Sequence, residues 1–398
     1  MIKLSELSDY ARKQIQRKKK FALVNNGKSP SKKKPIRESE DVIVDLDAKQ
    51  VKELDRVFSR FDSDLNLVLQ SDLSEKKTPE YTKMSSKELE ETGVVLKVDA
   101  SIMDGIDELL ELGGDAKNWY SEMNKTILEA FGDSDGTLFL VLLAIFSPRN
   151  PLSQNFKLAA QTYRGLKKDL SNEESKKRLE EMIELEATPL YNMMKSEDAY
   201  KDLATVRGML KGNMGVRTYL PNIIRFLRLY KSMGYSITRE VAVKEIAKHI
   251  KPSGGLKDTA VISAEKVFSF TLNLLDPNYK FEELGWVPVT MDTWMGSFFY
   301  PMLNKKQKSK LLAKEANYVY MAKLTQELAG KYGMTPPEFQ AAIWVGLIKK
   351  ERGENYDNTF LTAIDKNLKK LNIKIEEIKN ADNFFKRAIA IVGDRGFR

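Results

Sequence analysis

Cysteine is absent from this chain of 398 residues, and histidine occurs only once. Without cysteine the protein can form neither a disulfide nor an iron–sulfur cluster, and it has no thiol nucleophile. The single histidine, His249, cannot build a histidine-rich metal site. We therefore expect neither a metal site nor another cofactor.

Long apolar runs are also absent. The longest, from Leu138 to Phe146, is far shorter than the roughly 20 residues that a transmembrane helix needs. The N-terminus is charged and lacks the apolar segment of a signal peptide. P-loop, dinucleotide-binding, HExxH and G-x-S-x-G motifs are absent too, which disfavours nucleotide hydrolysis, redox and serine chemistry. The sequence predicts no membrane partner.

Positive charge is concentrated at the N-terminus. Residues 1–40 contain twelve Lys or Arg and four Asp or Glu, so this arm carries +8 of the net charge of +9. Such an arm suits phosphate backbones, which attract it without sequence specificity. It is equally consistent with a solvated tail that keeps the protein in solution. The candidate DNA-contacting lysines of the arm are Lys18, Lys19, Lys20, Lys32, Lys33 and Lys34.

The body of the chain has helical periodicity. Residues 1–95 contain two helical patterns, a short strand-like run and polar linkers, which indicate a basic, partly extended extension or adaptor. From Ser101 onward one helical pattern follows another, and strand candidates are few. We predict an all-α fold with an extension over residues 1–95, a core over 96–352 and a C-terminal helical tail over 353–398. The predicted core helices are Ser101–Leu112, Trp119–Phe131, Thr137–Phe146, Leu152–Leu166, Glu173–Met194, Val216–Met233, Arg239–Ile250, Ala264–Leu275, Lys306–Tyr332 and Pro336–Arg352.

Two separate segments carry candidate chemistry. Lys266 lies at the start of an apolar helical segment, ISAEKVFSFTLNLL, and Asp292 follows an apolar run in VPVTMDTWM. A lysine amine can attack a sugar carbon, and a carboxylate can stabilise the cation that develops there. The simpler alternatives are an exposed lysine near a helix N-terminus and a helix N-cap at Asp292, since aspartate accepts hydrogen bonds from backbone amides. Capping and catalysis by Asp292 are compatible.

These segments resemble the helix-hairpin-helix DNA glycosylase/AP lyase superfamily. In that family a lysine opens the second hairpin helix and an aspartate sits in the turn after a valine-rich strand, which correspond here to Lys266 and Asp292. An upstream segment, LFLVLLAIFSPRNPLSQNFKLAAQTYRGL, resembles the family's early apolar helix, and the resemblance covers about residues 118–352. It implies a multi-helix glycosylase-like core that binds DNA. The downstream segment MTPPEFQAAIWVGLIKKERG also resembles a closing helix of phage proteins.

The chain departs from this family at the hairpin. The family has Gly-x-Gly before the lysine because backbone amides approach a DNA phosphate there, and the matching residues here are Ser263, Ala264 and Glu265. The Glu265 carboxylate would repel that phosphate. Gly254, Gly255 and Lys257 lie close by in sequence and could supply another group of amides for an anion.

Further candidates come from a turn and from aromatic residues. Asn150, Gln154 and Asn155 lie where relatives line the DNA cleft, although turn chemistry and capping also explain them. Trp294 stands where many relatives have histidine. Several aromatic side chains could stack a flipped base or pack in the core: Trp286, Trp294, Phe298, Phe299 and Tyr300.

The function that these features predict is a DNA-binding phage protein with a glycosylase/AP lyase-like core, in the host cytoplasm or the virion. In this reading Lys266 forms a Schiff base with the sugar of a flipped nucleotide. The alternative is a noncatalytic virion or assembly protein, which keeps the core as a scaffold and contacts DNA or other virion proteins through its arm. Fold resemblance cannot decide between the two readings, because sites are grafted onto folds.

Overall fold

The computed structural model describes residues 83–91, 102, 105–148, 150–185, 187, 190–191, 200, 202–210, 216–251, 256–279, 287–301, 303–353, 360–379 and 383–394. Over these residues the protein is all-helical, without strands, which confirms the predicted all-α class. The elements predicted before residue 83 lie outside the described residues. The α-helices are α1 (Ser86–Glu91), α2 (Ile106–Gly113), α3 (Trp119–Phe131), α4 (Asp133–Ile145), α5 (Leu152–Leu170), α6 (Glu173–Glu184), α7 (Ala204–Leu210), α8 (Val216–Ser232), α9 (Arg239–Ala247), α10 (Glu265–Leu275), α11 (Thr293–Phe299), α12 (Lys305–Leu312), α13 (Glu315–Lys331), α14 (Pro336–Arg352), α15 (Phe360–Lys369), α16 (Glu376–Lys379) and α17 (Phe384–Asp394).

Helix α4 lies at the centre of the core. Its residues from Leu138 onward are apolar on every face, and all of them are fully buried. It packs against α3, α5 and α10. Asp133 and Asp135 are in its first turn, where a carboxylate interacts favourably with the positive end of the helix dipole. The helix predicted over Thr137–Phe146 is thus present, but it begins at Asp133 and ends at Ile145.

Helices α5 and α7 approach each other closely. A Cβ added at Gly165 would lie 2.4 Å from the carbonyl oxygen of Ala204. The Asp169 side chain, only 3% exposed, accepts hydrogen bonds from the amides of Ala204 and Thr205 at 3.0 and 2.8 Å. The Thr205 hydroxyl also donates to this carboxylate at 2.7 Å. Asp169 of α5 therefore caps the N-terminus of α7 from a neighbouring helix.

Helices α2 and α14 make a second close crossing through glycines. A Cβ at Gly346 would lie 2.2 Å from the carbonyl oxygen of Leu109, and one at Gly113 would lie 1.9 Å from that of Ala342. Both distances are far inside van der Waals contact. The absence of side chains at these glycines therefore sets the distance between the two helices.

The C-terminal helices α15 and α17 pack on α5. Ile364 and Ile389 are fully buried, and the Arg164 guanidinium of α5 pairs with the Asp394 carboxylate of α17 at 2.8 Å. Residues Leu73–Pro301 and Lys305–Arg398 belong to one compact unit. Of the helices described, none is both long and apolar enough to cross a membrane.

The prediction of one helix over Lys306–Tyr332 is wrong, because two helices, α12 and α13, occupy this range. Lys314 between them has an extended backbone, with φ −96° and ψ 123°. The Leu311 carbonyl at the end of α12 instead accepts hydrogen bonds from the Asn317 side chain and the Lys314 amide, both at 3.2 Å. These contacts satisfy a carbonyl that a continuous helix would have bonded internally.

The helix predicted over Glu173–Met194 ends early, at Glu184. Leu185 has an extended backbone. The guanidinium of Arg228 in α8 donates to the carbonyl oxygens of Ile183 and Leu185, at 2.5 and 2.9 Å. A side chain distant in sequence therefore satisfies the carbonyls at this helix end.

Candidate functional site

The turn before α10 is held in an unusual conformation. Ala264, the N-cap residue of α10, has φ 80° and ψ 117°, a backbone region that residues with a Cβ rarely adopt. The preceding Ser263 is fixed by the buried Asn222 side chain of α8, which accepts from the Ser263 amide at 2.8 Å and donates to its carbonyl at 3.0 Å. In the match to Gly-x-Gly that the resemblance implies, Ala264 is the middle residue, between Ser263 and Glu265.

One face of α10 is polar although the helix is buried. Glu265, Ser269 and Asn273 are spaced four residues apart and therefore lie on the same face. The Asn273 side chain donates to the Pro288 carbonyl at 2.8 Å and accepts from the Thr290 hydroxyl at 2.9 Å. These bonds attach the segment that leads to Asp292 to the last turns of α10.

The same segment continues toward the first turn of α10. Tyr318 of α13 accepts a hydrogen bond from the Met291 amide at 3.1 Å. Burial raises the pKa of this phenol, the Met291 amide and the Ser269 hydroxyl lower it, and the carboxylates of Glu265 and Asp292 raise it. The carboxylates of Glu265, in the first turn of α10, and of Asp292 therefore both lie near enough to the Tyr318 phenol to affect its pKa.

Asp292 caps α11. Its Oδ1 atom accepts hydrogen bonds from the amides of Trp294 and Met295, at 2.9 and 3.1 Å. The carboxylate is partly buried. Its charge also contributes to the raised pKa of the Tyr120 phenol, of which burial is the main cause. The capping role suggested for Asp292 is therefore present in the structure, and its second oxygen makes no hydrogen bond to a described residue.

Lys266 is the second residue of α10 and is partly buried. Its ammonium makes no hydrogen bond or ion pair to any residue of the described ranges. One turn further along the same face, Phe270 stacks on Trp119, with ring centroids 6.1 Å apart, and meets Tyr120 edge-on. Lys266 and Phe270 thus lie on the face of α10 that packs toward Trp119 and Tyr120 of α3.

Glu265 precedes Lys266 and is partly buried. Burial raises the pKa of its carboxyl, and the neighbouring Glu315 carboxylate raises it further, while its own backbone amide and Lys251 lower it. Lys251 lies 4.0 Å from the Glu315 carboxylate. The folded protein therefore favours the protonated form of this carboxyl more than the unfolded chain does.

The connection between α9 and α10 spans residues 248–264, which is longer than the two to five or so residues of a tight helical hairpin. Lys257 lies in it and is exposed, and its ammonium donates to the Lys248 carbonyl at 2.9 Å. Gly254 and Gly255 lie outside the described residues. Of this suggested group of amides, only Lys257 has a described position.

The three polar residues of the SPRNPLSQN turn form hydrogen bonds to backbone carbonyls close by in the sequence. The side-chain amide of Asn150 donates to the Phe146 carbonyl at 2.8 Å. Asn155 is 4% exposed. In the orientation of its side-chain amide that satisfies both the oxygen and the nitrogen, the nitrogen donates to the same Phe146 carbonyl at 3.0 Å. Gln154 is partly buried, and its backbone amide bonds to the Pro151 carbonyl. The two asparagines therefore cap the C-terminus of α4, in agreement with the turn-chemistry alternative.

Most of the candidate stacking residues belong to the core. Phe298, Phe299 and Tyr300 are buried. Trp294 is only partly buried, and the guanidinium of Arg352 lies over its ring at 5.4 Å from the centroid. Trp286 and the arm lysines Lys18, Lys19, Lys20, Lys32, Lys33 and Lys34 lie outside the described residues.

The sequence interpretation missed the charge of α12. Residues 305–314 contain five lysines and no carboxylate, and three of these lysines are exposed: Lys305, Lys306 and Lys310. The signal was present in the sequence as a run of one charge sign. The sequence prediction overlooked this run because it treated residues 306–332 as one long helix.

Comparison of the chain with protein-family models, with curated proteins and with solved structures found no match.

Proposed function

We propose that the protein binds DNA and that the N-terminal end of α10 is a glycosylase/AP lyase-like site, with Lys266 as the nucleophile and Asp292 as the stabilising carboxylate. The supporting observation is that residues 288–290 are hydrogen-bonded to Asn273 of α10, and that the Met291 amide bonds to Tyr318, whose pKa the carboxylates of both Glu265 and Asp292 raise. We infer from these contacts that Asp292 approaches Lys266, which is 26 positions earlier in the sequence. Phage origin, with action in the host cytoplasm or the virion, is part of the same proposal.

The chemistry needs a neutral amine and a flipped nucleotide. At an abasic site the Lys266 amine adds to the C1′ aldehyde and water leaves, which gives a Schiff base. Loss of a C2′ proton to solvent or a nearby base then expels the 3′ phosphate and cleaves the strand. With an intact nucleotide, the Asp292 carboxylate would stabilise the cationic sugar while the base departs. Asp292 can cap α11 through Oδ1 and present its other oxygen to the sugar.

Borohydride trapping tests this proposal. Reduction of the Schiff base makes a stable amine, so the wild-type protein should form a covalent adduct with abasic-site duplex DNA. Lys266→Gln should abolish the adduct and leave the thermal midpoint nearly unchanged, because a surface substitution usually changes stability by no more than about 0.5 kcal/mol. Lys244→Gln, which alters an exposed lysine of the neighbouring helix α9, is the matched control and should retain the adduct.

Asp292→Asn adds a second measurement on the same substrates. Asparagine is also a good N-cap residue, so this variant should keep most of the stability and still be slow in releasing a base. A wild-type protein that forms no adduct with abasic, uracil or 8-oxoguanine DNA contradicts the catalytic proposal.

The noncatalytic alternative is favoured by a specific observation. Where the resembled family has Gly-x-Gly, this chain has Ser263, then Ala264 in a strained conformation, then the partly buried carboxyl of Glu265. A fold retained without its reaction would show such a change. In that case the core is a scaffold in a virion or assembly protein, and it would bind DNA or neighbouring subunits without forming an adduct.

A further inference from the structure

Helix α12 has an exposed face whose positive charge is not balanced locally. Lys305, Lys306 and Lys310 are exposed, and their ammonium groups form no hydrogen bond or ion pair with a described residue. The ammonium of Lys314, which follows the helix and is half-buried, also has no such partner among the described residues. Single exposed lysines are ordinary, whereas this run contains no carboxylate at all between residues 305 and 314.

The inward side of α12 fixes which side chains point outward. Leu311 is fully buried, and Lys308 is 7% exposed. The Lys308 stem lies against Gly296 of α11, and its ammonium donates to the Ser297 hydroxyl at 3.0 Å. Helix α12 is thus attached to α11 by a buried lysine, and the buried Leu311 lies on its inward side. The three exposed lysines occupy the opposite side.

The charge pattern of α12 opposes the stability of the helix itself. Its first turn contains Lys305 and Lys306 and no acidic residue, although the N-terminal end of a helix carries positive partial charge. Lys306 and Lys310 are four residues apart, a spacing at which like charges destabilise a helix by about 0.2–0.5 kcal/mol. Departures from these local rules are expected where a surface serves a function. An external polyanion would relieve both effects.

We propose that this face of α12, formed by Lys305, Lys306 and Lys310, binds the phosphate backbone of duplex DNA. Lys306 and Lys310 are separated by roughly 6 Å along the helix axis, and the phosphates of one DNA strand follow one another with a rise of about 3.4 Å along the duplex axis. Flexible lysine stems can therefore reach neighbouring phosphates. This inference rests on the DNA-binding part of the proposed function and requires no reaction at Lys266.

The test measures the salt dependence of DNA binding with the full-length protein. A fluorescein-labelled duplex of mixed sequence is titrated at several salt concentrations, and the slope of log K against log salt is determined. Each lost phosphate contact should reduce the magnitude of the slope by about 0.9. The triple variant Lys305→Gln, Lys306→Gln, Lys310→Gln should thus have a slope smaller by roughly 2 to 3.

A second triple variant controls for net charge. Lys117, Lys168 and Lys177 are exposed lysines outside α12, and their change to Gln removes the same three charges. This variant should keep a slope close to that of the wild type. A third variant, Lys18→Gln, Lys19→Gln, Lys20→Gln, measures the contribution of the arm separately. Thermal midpoints verify that all three variants fold, and Lys310→Glu alone should also weaken binding.

The proposal is overturned by a wild-type slope in the α12 variant, by an equal loss in the Lys117/Lys168/Lys177 control, or by a wild-type protein that does not bind the duplex. Competition by poly-aspartate in the absence of DNA binding would assign the surface to an acidic protein partner and also overturn it. The borohydride result is independent: a missing adduct combined with a reduced slope removes the lyase proposal and supports the α12 surface.

Discussion

At the scale of single residues, the backbone of Ala264 is the feature most open to a direct test. Its φ of 80° implies strain of about 1–3 kcal/mol, which glycine would not experience. Against this gain, glycine increases the conformational entropy of the unfolded chain, which lowers stability by roughly 0.4–1 kcal/mol. We therefore predict that Ala264→Gly raises the free energy of unfolding by about 1 kcal/mol, measured by urea denaturation.

The control for this prediction is Ala313→Gly. Ala313 is exposed, and its φ is not positive, so glycine there relieves no strain and should leave stability unchanged or lower it. Equal losses of stability in the two variants would show that the turn before α10 is not strained.

The residues of the candidate site differ in how well the sequence predicts them. The cap formed by Asp292 is local, since its partners are two and three residues away, and the sequence suggested it. The clamp of Asn222 on Ser263 joins residues 41 positions apart. No local pattern contains that contact, so it could not be predicted from the residues around Ser263. The proximity of the Asp292 segment to α10 was only implied by resemblance.

At the scale of elements, glycines set the crossing of α2 and α14. We predict that Gly346→Ala destabilises the protein by about 1–3 kcal/mol or more, because the new methyl group would overlap the Leu109 carbonyl and push the helices apart. The measurement is the free energy of unfolding. Gly330→Ala is the matched control, since this glycine is also inside a helix and its Cβ would meet nothing within 4 Å. It should raise stability by up to about 1 kcal/mol, and a similar loss in both variants would contradict the close crossing.

Helix ends were predictable where the signal is local. The predictions Trp119–Phe131 and Pro336–Arg352 agree with the observed bounds of α3 and α14. Gly132 follows α3 with a positive φ, and a capping box formed by Thr335 and Glu338 begins α14. The break between α12 and α13 contains neither glycine nor proline, and the early end of α6 depends on Arg228 from another helix. Tertiary contacts determine those two boundaries, which explains why periodicity missed them.

At the scale of the whole molecule, stability should depend on pH through Glu265. Because burial raises the pKa of this carboxyl, the folded protein binds its proton more tightly than the unfolded chain, in which it titrates near 4.5. The contribution of the protonated Glu265 carboxyl to stability is fully present below its pKa in the unfolded chain. It is lost as pH rises through its pKa in the folded protein. We predict that Glu265→Gln matches the wild type in mild acid and is more stable at neutral pH, as measured by chemical denaturation at both pH values.

Glu181 of α6 is exposed, and Glu181→Gln serves as the control for this pH dependence. It should change stability little at either pH. A stability difference between Glu265→Gln and the wild type that is independent of pH would show that the carboxyl ionises normally in the folded protein.

The all-α class was predictable from periodicity, because helix follows helix through the body of the chain. The arrangement of those helices was not. The predicted division into a core and a C-terminal tail did not anticipate that α15 and α17 pack on α5, since the burial of Ile364 and Ile389 depends on partners about 200 residues earlier in the sequence.

The central position of α4 has a consequence for synthesis of the chain. Helix α10, one of its covering partners, begins at Glu265, which is 120 residues after the end of α4 at Ile145. At roughly 5–20 residues per second, a ribosome needs on the order of ten seconds to make that stretch. During this interval one side of a wholly apolar helix has no native cover. The nascent protein must therefore shield it with a chaperone or with non-native contacts until α10 arrives.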